Sequence, residues 1–456
     1  MSEDLVDAST NAIRLDRGKC VGCGHCVEAC EKVAGQCVLT LEPNGTRRRV
    51  RTALGVPMQQ TNCVKCGQCT LVCPVGAITE KDELDILEGV LADPAGRTIV
   101  ASIAPAIRIN LCEGLGLPPG SVETGKVVTA LKQLGFEKVF DVTWAADLTI
   151  MEEATELVHR LRDGKALPMF TSCCPAWVNE VEQNAPEMLA HLSTARSPLG
   201  MLGSVVKSEW AKSEGLDPAK VYSVAVMPCT AKKDEVARPQ FSARGYRETD
   251  LVVTARELVR LIKKRGIDFA SLEDTDFDDA YSRGAGAGAL FCATGGVMEA
   301  AVRSAHFFMT QRELSPVTVQ AVRGLDGIKV GEVDIGGKRV KIAVAQGIAN
   351  AKKLVQELRT GELKDVVFCE VMACPGGCVC GGGAPRAKTD DVKEARLSAT
   401  YRLDEHNPVR QSHANPQIVE FYRRFLGGPC THQAHEYLHT AFHTRRPAAL
   451  AAGHRG

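Results

Sequence analysis

The feature that most constrains this chain is a cysteine spacing that occurs twice near its N-terminus. Four cysteines follow the pattern C-x2-C-x2-C-x3-C, and the pattern then repeats, with Pro74 after its last cysteine. Three thiolates of such a run can hold one four-iron cluster, while the fourth cysteine binds the cluster of the other run. Structural zinc, the alternative, prefers separated pairs of ligands. We therefore expect two 4Fe-4S clusters, one on Cys20, Cys23, Cys26 and Cys73 and the other on Cys30, Cys63, Cys66 and Cys69.

The composition favours metal thiolates over a disulfide framework. The N-terminus begins acidic and contains no apolar run long enough for a signal peptide or a membrane span, so we expect a cytoplasmic protein. In a reducing compartment, 19 cysteines with clustered spacing indicate metal binding. Lys plus Arg and Asp plus Glu both total 55, which gives no reason to propose a nucleic-acid or membrane surface.

A chain of 456 residues is too long for one ordinary core, so we expect several domains. The first domain contains both cysteine runs and, between them, a basic stretch at 45–55 that we expect to be a strand or loop. Beyond them, apolar strand patterns alternate with helical periodicity, which predicts an α/β fold with parallel strands and crossover helices. The later part of the chain turns polar and histidine-rich. The expected domains are 1–82, 83–395 and 396–456.

Three further cysteine motifs follow predicted strands. They are TSCC at 171–174, MPC at 227–229 and ACPGGC at 373–378. Ligands of open α/β sheets gather beyond the carboxyl ends of the strands. We therefore expect these motifs to converge in the fold although they are far apart in sequence.

In their sequence context, the three motifs closely resemble the signature segments of FeFe hydrogenases. They read TSCCPAW, MPCTAKKDE and EVMACPGGCVCGGG, and the resemblance extends to LTIMEEATELVHR, FCATGGVMEAA and the C-terminal AHEYLHT. It implies an α+β protein overall, with a ferredoxin-like N-terminal module and a two-lobed catalytic domain that holds an H-cluster between its lobes. The implied reaction is the reversible oxidation of H2 to protons and electrons.

The resemblance also implies how the H-cluster is held. Its four-iron half would be bound by Cys174, Cys229, Cys374 and Cys378, and Cys378 would bridge to a two-iron unit with carbon monoxide, cyanide and azadithiolate ligands. Lys232 would donate to a cyanide ligand, whereas we expect neighbouring Lys233 to be a solvated surface lysine. Residues that match the surroundings of the two-iron unit are Ala104, Pro105, Met227, Met372 and Phe291.

Hydrogen chemistry in a water-poor pocket requires a chain of titratable groups for protons. The positions that match the family's relay are Cys173, Glu153, Ser193, Glu156 and Arg160. A thiol with an ordinary pKa near ~8.5 can exchange protons around neutral pH if no metal binds it. Helical spacing places the two glutamates and the arginine on one face. The alternative is a solvated stripe with a Glu156–Arg160 pair.

The expected partners are H2 and protons as substrates, a ferredoxin or similar electron carrier, and maturation proteins that install the two-iron unit. Two other functions compete. Cytosolic iron-sulfur assembly factors share the fold without the two-iron unit, and a hydrogen sensor would use the same cluster for signalling. No flavin or nicotinamide fingerprint suggests electron bifurcation.

Some residues depart from the family pattern. Ala106, Leu199 and Cys292 stand where many members have Ser, Gln and Gly, and Cys380 is a further unexpected thiol. One of these two thiols could reach the open iron site and protect it against oxygen; the alternative is simple packing. We expect no metal on the terminal histidines. The cysteines without partner spacing are expected to be buried structural thiols, namely Cys37, Cys112, Cys369 and Cys430.

Overall fold

The computed structural model describes residues 5–42, 48–278 and 280–445. The two cysteine runs lie in a small module built on short strands and short helices. Its sheet has the order β1-β2-β5, all antiparallel, and β3 pairs with β4. The elements are β1 (Val6–Asp7), β2 (Ile13–Asp16), α1 (His25–Glu28), β3 (Leu39–Leu41), β4 (Val50–Thr52), α2 (Gln68–Val72) and β5 (Ile78–Glu80). Within the predicted basic stretch, 48–55 includes β4, and 45–47 lie outside the described residues.

Two four-stranded sheets form the larger part of the molecule. The first has the order β10-β9-β6-β7 and is entirely parallel. The second has the order β11-β12-β13-β8 and is parallel except for the antiparallel β11–β12 pair. The strands are β6 (Thr98–Ile103), β7 (Lys138–Asp141), β8 (Met169–Phe170), β9 (Val221–Met227), β10 (Leu251–Thr254), β11 (Ile328–Ile335), β12 (Lys338–Gln346) and β13 (Val366–Met372).

Helices connect and cover these strands, so the predicted α/β fold with parallel sheets is confirmed. They are α3 (Leu84–Ala92), α4 (Ile107–Gly114), α5 (Thr124–Leu134), α6 (Val142–Asp163), α7 (Pro175–Asn184), α8 (Pro198–Val205), α9 (Ala211–Ser213), α10 (Lys232–Glu235), α11 (Ala255–Lys264), α12 (Gly286–Leu290), α13 (Gly296–Thr310), α14 (Ile348–Thr360), α15 (Asp390–Glu405), α16 (Pro416–Phe421) and α17 (His432–Leu438).

The longest helix, α6, begins where β7 ends. Asp141 is its N-cap: the carboxylate accepts from the Thr143 N–H at 2.9 Å and from the Arg108 guanidinium at 2.7 Å. An N-cap carboxylate satisfies a backbone donor that the helix leaves free. The first three turns of α6 are buried, which is why this helix can carry side chains into the interior.

The C-terminal segment packs on the first sheet and on α6. Ile418, Phe421 and Leu438 belong to the same hydrophobic core as the first sheet. The boundary expected between 395 and 396 falls inside α15, so this helix does not mark a division there. In the part of the chain that the structure describes, none of the helices has the length and apolar character needed to cross a lipid bilayer.

Candidate iron-sulfur active site

The three later cysteine motifs meet at one buried cavity between the two large sheets. Each follows the carboxyl end of a parallel strand: TSCC follows β8, MPC ends β9, and ACPGGC follows β13. This is the place where α/β sheets bind ligands. The thiols that line the cavity from these motifs are those of Cys173, Cys174, Cys229, Cys374 and Cys378.

The donor chemistry of this cavity fits an iron-sulfur group. Burial raises the pKa of Cys229 to about 12, and the neighbouring Cys174 adds to the shift. Burial raises the pKa of the Cys374 and Cys378 thiols well above the usual range, again with contributions from the other cysteines. Buried thiolates that repel one another need a cationic partner, and soft sulfur suits iron. The Ala373 N–H also donates to Cys174 Sγ at 3.4 Å, so the site offers backbone donors to sulfur.

At the third motif, the backbone packs closely against a neighbouring segment beside the cavity. Gly377 has φ +88°, and a Cβ there would lie 2.6 Å from the Thr294 nitrogen. A side chain would therefore clash with the α12–α13 connection, and the backbone conformation itself favours glycine. This glycine sets the position of Cys378 against the cavity.

The remaining wall is largely apolar. It contains all five residues that the sequence analysis assigned to the surroundings of the two-iron unit, namely Ala104, Pro105, Met227, Met372 and Phe291. The three substituted positions, Ala106, Leu199 and Cys292, line the same cavity. An apolar wall keeps water out, and charged contacts inside it are correspondingly strong.

Lys232 is the cation on this wall. Its Nζ lies 3.4 Å from the Cys173 carbonyl oxygen and 2.5 Å from Glu235 Oε2. Burial opposes the charge, but Glu235 outweighs burial and raises the pKa of Lys232. The sequence analysis did not single out Glu235, although its i+3 spacing from the lysine on a helix was a usable signal.

The expectation that Lys233 is a solvated surface lysine is wrong. Its side chain is 1% exposed, and its Nζ pairs with Glu83 at 2.7 Å and Glu257 at 3.1 Å. Adjacent residues on α10 point in different directions, so one lysine faces the cavity and the other faces α11.

The residues expected to form the proton relay are partly connected by hydrogen bonds. Ser193 Oγ donates to Glu156 Oε2 at 2.8 Å, and the Arg160 guanidinium donates to Glu156 Oε1 at 2.6 Å. The Glu156–Arg160 pair of the alternative interpretation is therefore present, but the stripe is not solvated as a whole. Glu153 is fully buried, and its Oε2 makes no hydrogen bond among the described residues.

Burial also shifts the titration of the inner relay groups. It raises the pKa of Glu153 to about 8; the charge of Glu156 adds to the shift and the Ser172 N–H opposes it. Burial, followed by Glu153, raises the pKa of Cys173 well above its usual range. The thiol thus holds its proton near neutral pH instead of titrating there, contrary to the expectation from an ordinary thiol.

The N-terminal cysteines separate into the two expected groups. The charges of Cys73, Cys20 and Cys23 act on Cys26, where burial and these neighbours raise the pKa to about 12. In the other group, one small cavity is lined by Cys30, Cys63, Cys66 and Cys69. Backbone N–H groups of Gly22 and Val50 donate to Cys20 Sγ, and hydrogen bonds of this kind tune the reduction potential of iron-sulfur clusters.

Cys66 connects the second group to the active cavity, because it lines both cavities. The backbone at Cys66 and the backbone at Gly382 approach closely: a Cβ on Gly382 would lie 2.3 Å from the Cys66 carbonyl oxygen. A buried ion pair holds the contact, since Lys65 Nζ lies 2.6 Å from Asp234 Oδ1. The N-terminal module is thereby fixed against the second and third motifs.

The unexpected thiols have different surroundings. Cys292 Sγ lines the cavity and lies 3.2 Å from the Ala289 carbonyl oxygen and 3.3 Å from Thr400 Oγ1. Cys380 is not among the lining residues and lies 3.9 Å from the Arg396 guanidinium. Only Cys292, of these two, has the placement that the protective-thiol hypothesis needs.

Among the remaining cysteines, Cys112 and Cys369 are buried, as expected. The expectation is wrong for Cys37, which is exposed. It sits at φ +50° between the buried Gln36 and Val38, and the turn directs its side chain outward. Cys430 is only partly buried.

One buried acid near the site was missed by the sequence analysis. The Glu370 carboxylate accepts from the Gly295 N–H at 2.6 Å and the Met298 N–H at 2.7 Å, and so caps the start of α13. This cap ties the wall that carries Phe291 to β13. It had no signal in the sequence because the partners are far apart in the chain.

Comparisons with known proteins agree with this geometry. "Iron only hydrogenase large subunit, C-terminal domain" matches 97–382, "Iron hydrogenase small subunit" matches 390–445, and "4Fe-4S dicluster domain" matches 19–77. Iron hydrogenase 1 of Clostridium pasteurianum is 44% identical over 446 residues, 96% of this chain and 76% of that protein. The NADP-reducing hydrogenase subunit HndD of Solidesulfovibrio fructosivorans is 42% identical over 453 residues, 98% of this chain and 77% of that protein.

A solved structure of an apo FeFe hydrogenase from Chlamydomonas reinhardtii superimposes with a TM-score of 0.72 at 38% identity, covering 80% of this chain and 99% of that one. Cytosolic iron-sulfur assembly component 3 of Rattus norvegicus is more distant, at 30% identity over 88% of this chain and 87% of that protein. The chain therefore belongs to the iron-only, or FeFe, hydrogenases, a family of oxidoreductases that carry 4Fe-4S clusters and an H-cluster.

Proposed function

We propose that this protein catalyses the reversible oxidation of H2 to protons and electrons at an H-cluster in the buried cavity. The observation that carries the proposal is the convergence of three distant cysteine motifs on one apolar cavity that also contains Lys232 and Cys173. We assign the four-iron half to Cys174, Cys229, Cys374 and Cys378, with Cys378 as the bridge. When bound, the two-iron unit supplies the open iron site at which H2 is split or formed.

The protein's own residues provide the surroundings and the proton path. Met227, Met372 and Phe291 exclude water, and the Lys232 ammonium offers hydrogen bonds to an anionic ligand. Cys173 Sγ, which holds its proton near neutral pH, is the inner proton donor, and the Glu153 carboxyl is the next carrier, which reprotonates it. A pKa of about 8 suits Glu153 to this role, because an efficient proton carrier titrates near the working pH.

The outer half of the path is set by hydrogen bonds. Ser193 Oγ can pass a proton between Glu153 and Glu156, since it already donates to Glu156 Oε2. Arg160 holds Glu156 in place and donates at the same time to the carbonyl oxygens of Ala166 and Leu192. We therefore assign Arg160 to the positioning of the outer carboxylate at the exit of the path.

Electrons would leave through the N-terminal module. Cys66 is shared by the wall of the active cavity and the wall of the second cluster site, so a short route joins the two. We propose a domain boundary after residue 82 and a ferredoxin-type carrier at the outer cluster, where Cys23 is exposed. The proposal includes a reducing cytoplasmic location and maturation proteins that install the two-iron unit.

The test is hydrogen production by the matured protein and its Cys173→Ala variant. We expect the variant to keep its clusters and to lose turnover by about 100-fold or more, because its first proton carrier is gone. Gas chromatography of H2, normalised to assembled H-cluster, measures this. Cys112→Ala, which removes a buried thiol outside the cavity lining, is the matched control and should keep its turnover. Equal turnover in all three proteins would remove Cys173 from the path.

A further inference from the structure

A group of metal-ligating side chains lies outside the cavities described so far. Cys430 precedes α17, His435 lies on it, and His439 follows its last residue. One donor atom from each of these three residues lies within 4.8 Å of the other two. The two histidines are four residues apart, so a helical turn stacks them, and their ring centroids are 3.9 Å apart.

Contrary to the expectation from the sequence, we propose that Cys430, His435 and His439 bind a divalent transition-metal ion of the zinc type. A thiolate with two imidazoles is a donor set that zinc prefers, and three protein ligands leave a fourth position open. Bond lengths of about 2.0 Å to nitrogen and about 2.3 Å to sulfur bring tetrahedral ligands to roughly 3.3–3.7 Å from one another. The donor atoms need to move closer by about 1 Å, and His435 can do so because its ring is exposed.

The surroundings of the group suit a bound cation. His439 is held on both sides: Nδ1 lies 2.8 Å from Thr194 Oγ1, and Nε2 lies 2.9 Å from Glu152 Oε2. Metal-binding histidines are usually oriented by a carboxylate or another polar partner on the second nitrogen, so His439 binds the ion with one ring nitrogen, which gives up its present partner, and keeps the contact of the other. The Cys430 N–H donates to the same Glu152 oxygen at 2.7 Å. One carboxylate and one thiolate together balance the charge of a divalent ion.

The site is independent of the proposed hydrogenase chemistry. A bound ion would tie Cys430, ahead of α17, to His435 and His439, and both Cys430 and His439 contact Glu152 on α6. Glu152 precedes the proposed relay residue Glu153 in sequence. The C-terminal segment would thus be fastened to the helix that carries the proton path. Neither histidine lines the active cavity, and the iron-sulfur cysteines take no part.

The experiment uses the full-length protein, purified without oxygen and with its iron-sulfur clusters loaded. Zn²⁺ is added, excess metal is removed, and retained zinc is measured by mass spectrometry and by X-ray absorption at the zinc edge. The variants are Cys430→Ser and His435→Asn. The matched control is His432→Asn, an exposed histidine on the same helix but outside the group.

Wild type and His432→Asn should each retain one zinc ion per chain, with a spectrum of one sulfur and two nitrogen ligands. The two ligand variants should bind zinc more weakly by about 100-fold or more, since even the loss of an outer hydrogen-bond partner costs about 10- to 100-fold. Iron content should be the same in all four proteins. Equal retention in all four, no retention in wild type, or a spectrum with sulfur ligands alone would overturn the proposal.

Discussion

Two adjacent acids on α6 show how strongly the role of a residue depends on the direction of its side chain. Glu152 and Glu153 are both fully buried. Glu152 accepts from the Tyr422 hydroxyl at 2.5 Å and from the Cys430 N–H, so hydrogen bonds to the C-terminal segment satisfy it. Glu153 lies beside the first cysteine motif: its Oε1 accepts from the Ser172 N–H at 3.4 Å, and its Oε2 makes no hydrogen bond among the described residues. A buried carboxyl with so few donors is more stable when it is protonated.

This difference predicts a pH dependence for hydrogen evolution. With its pKa raised to about 8, Glu153 carries a proton near neutral pH and can pass it inward; above about pH 8 it ionises. The rate of hydrogen evolution should therefore fall as the pH rises through this value. In Glu153→Gln the rate should be lower by about 100-fold or more at neutral pH, because an amide cannot relay the proton.

The measurement is the pH profile of H2 production for wild type, Glu153→Gln and a control. Glu357→Gln is the control, since Glu357 lies on α14, away from the proposed proton path and the cavity lining. It should keep the wild-type profile. An unchanged alkaline decline in Glu153→Gln would assign that decline to another group.

The residue scale was also where prediction from the sequence failed most clearly. The cysteine spacing predicted which N-terminal cysteines lie together, because such spacing is a local property of the chain. The predictions of a buried Cys37 and a solvated Lys233 were wrong because burial depends on contacts from distant segments. The backbone at Cys37 directs its side chain outward, whereas Glu83 and Glu257 enclose Lys233. The local sequence around these two residues does not predict the exposure of either side chain.

At the scale of elements, the short helix α10 carries two adjacent lysines with different roles, one at the active cavity and one in a buried ion pair. Lys232 faces the active cavity, whereas Lys233 bridges to Glu83 beside α3 and to Glu257 on α11. The burial of Glu257 raises its pKa, and Lys233 opposes that shift. Removal of Lys233 would leave a buried carboxyl without its counter-charge.

We therefore expect Lys233→Ala to lower the stability of the protein by about 3–5 kcal/mol, the usual cost of breaking a buried ion pair. Lys232→Ala, the matched change one residue earlier, should keep more of the stability and lose two-iron loading instead. Thermal unfolding without oxygen and infrared spectra after maturation separate the two effects. Equal melting temperatures in the two variants would contradict this division of roles.

The elements themselves were largely predictable. The apolar runs ahead of the three cysteine motifs predicted the parallel strands β8, β9 and β13. The strand β11 was missed because its residues alternate in exposure at the sheet edge and have no continuous apolar run. Its pairing with β12 depends on the turn at Gly336 and Gly337, both at positive φ, which suits a tight hairpin. The expected boundary between 395 and 396 fell inside α15, because polar residues dominate the start of this helix.

For the whole molecule, the position of the N-terminal module determines whether electrons can reach the active cavity. The module docks through Lys65 and Asp234 and through a second buried contact, in which Glu80 Oε2 lies 2.5 Å from the Arg256 guanidinium. These contacts place Cys66 on the wall of the active cavity. Resemblance to the family implied both the N-terminal module and the catalytic domain. The contacts between them could not be predicted from the sequence, since their partners are far apart in the chain.

The infrared spectrum of the anaerobically matured protein, beside that of Cys378→Ala, tests the central claim most directly. Carbon monoxide and cyanide stretches report the two-iron unit, and no side chain absorbs there. Wild type should show these bands; Cys378→Ala should lack them while it keeps the iron of the two N-terminal clusters, because Cys378 is the proposed link of the unit to the protein. A matured wild type without such bands would contradict the account and favour an iron-sulfur assembly factor. Normal bands in Cys378→Ala would contradict the bridging assignment.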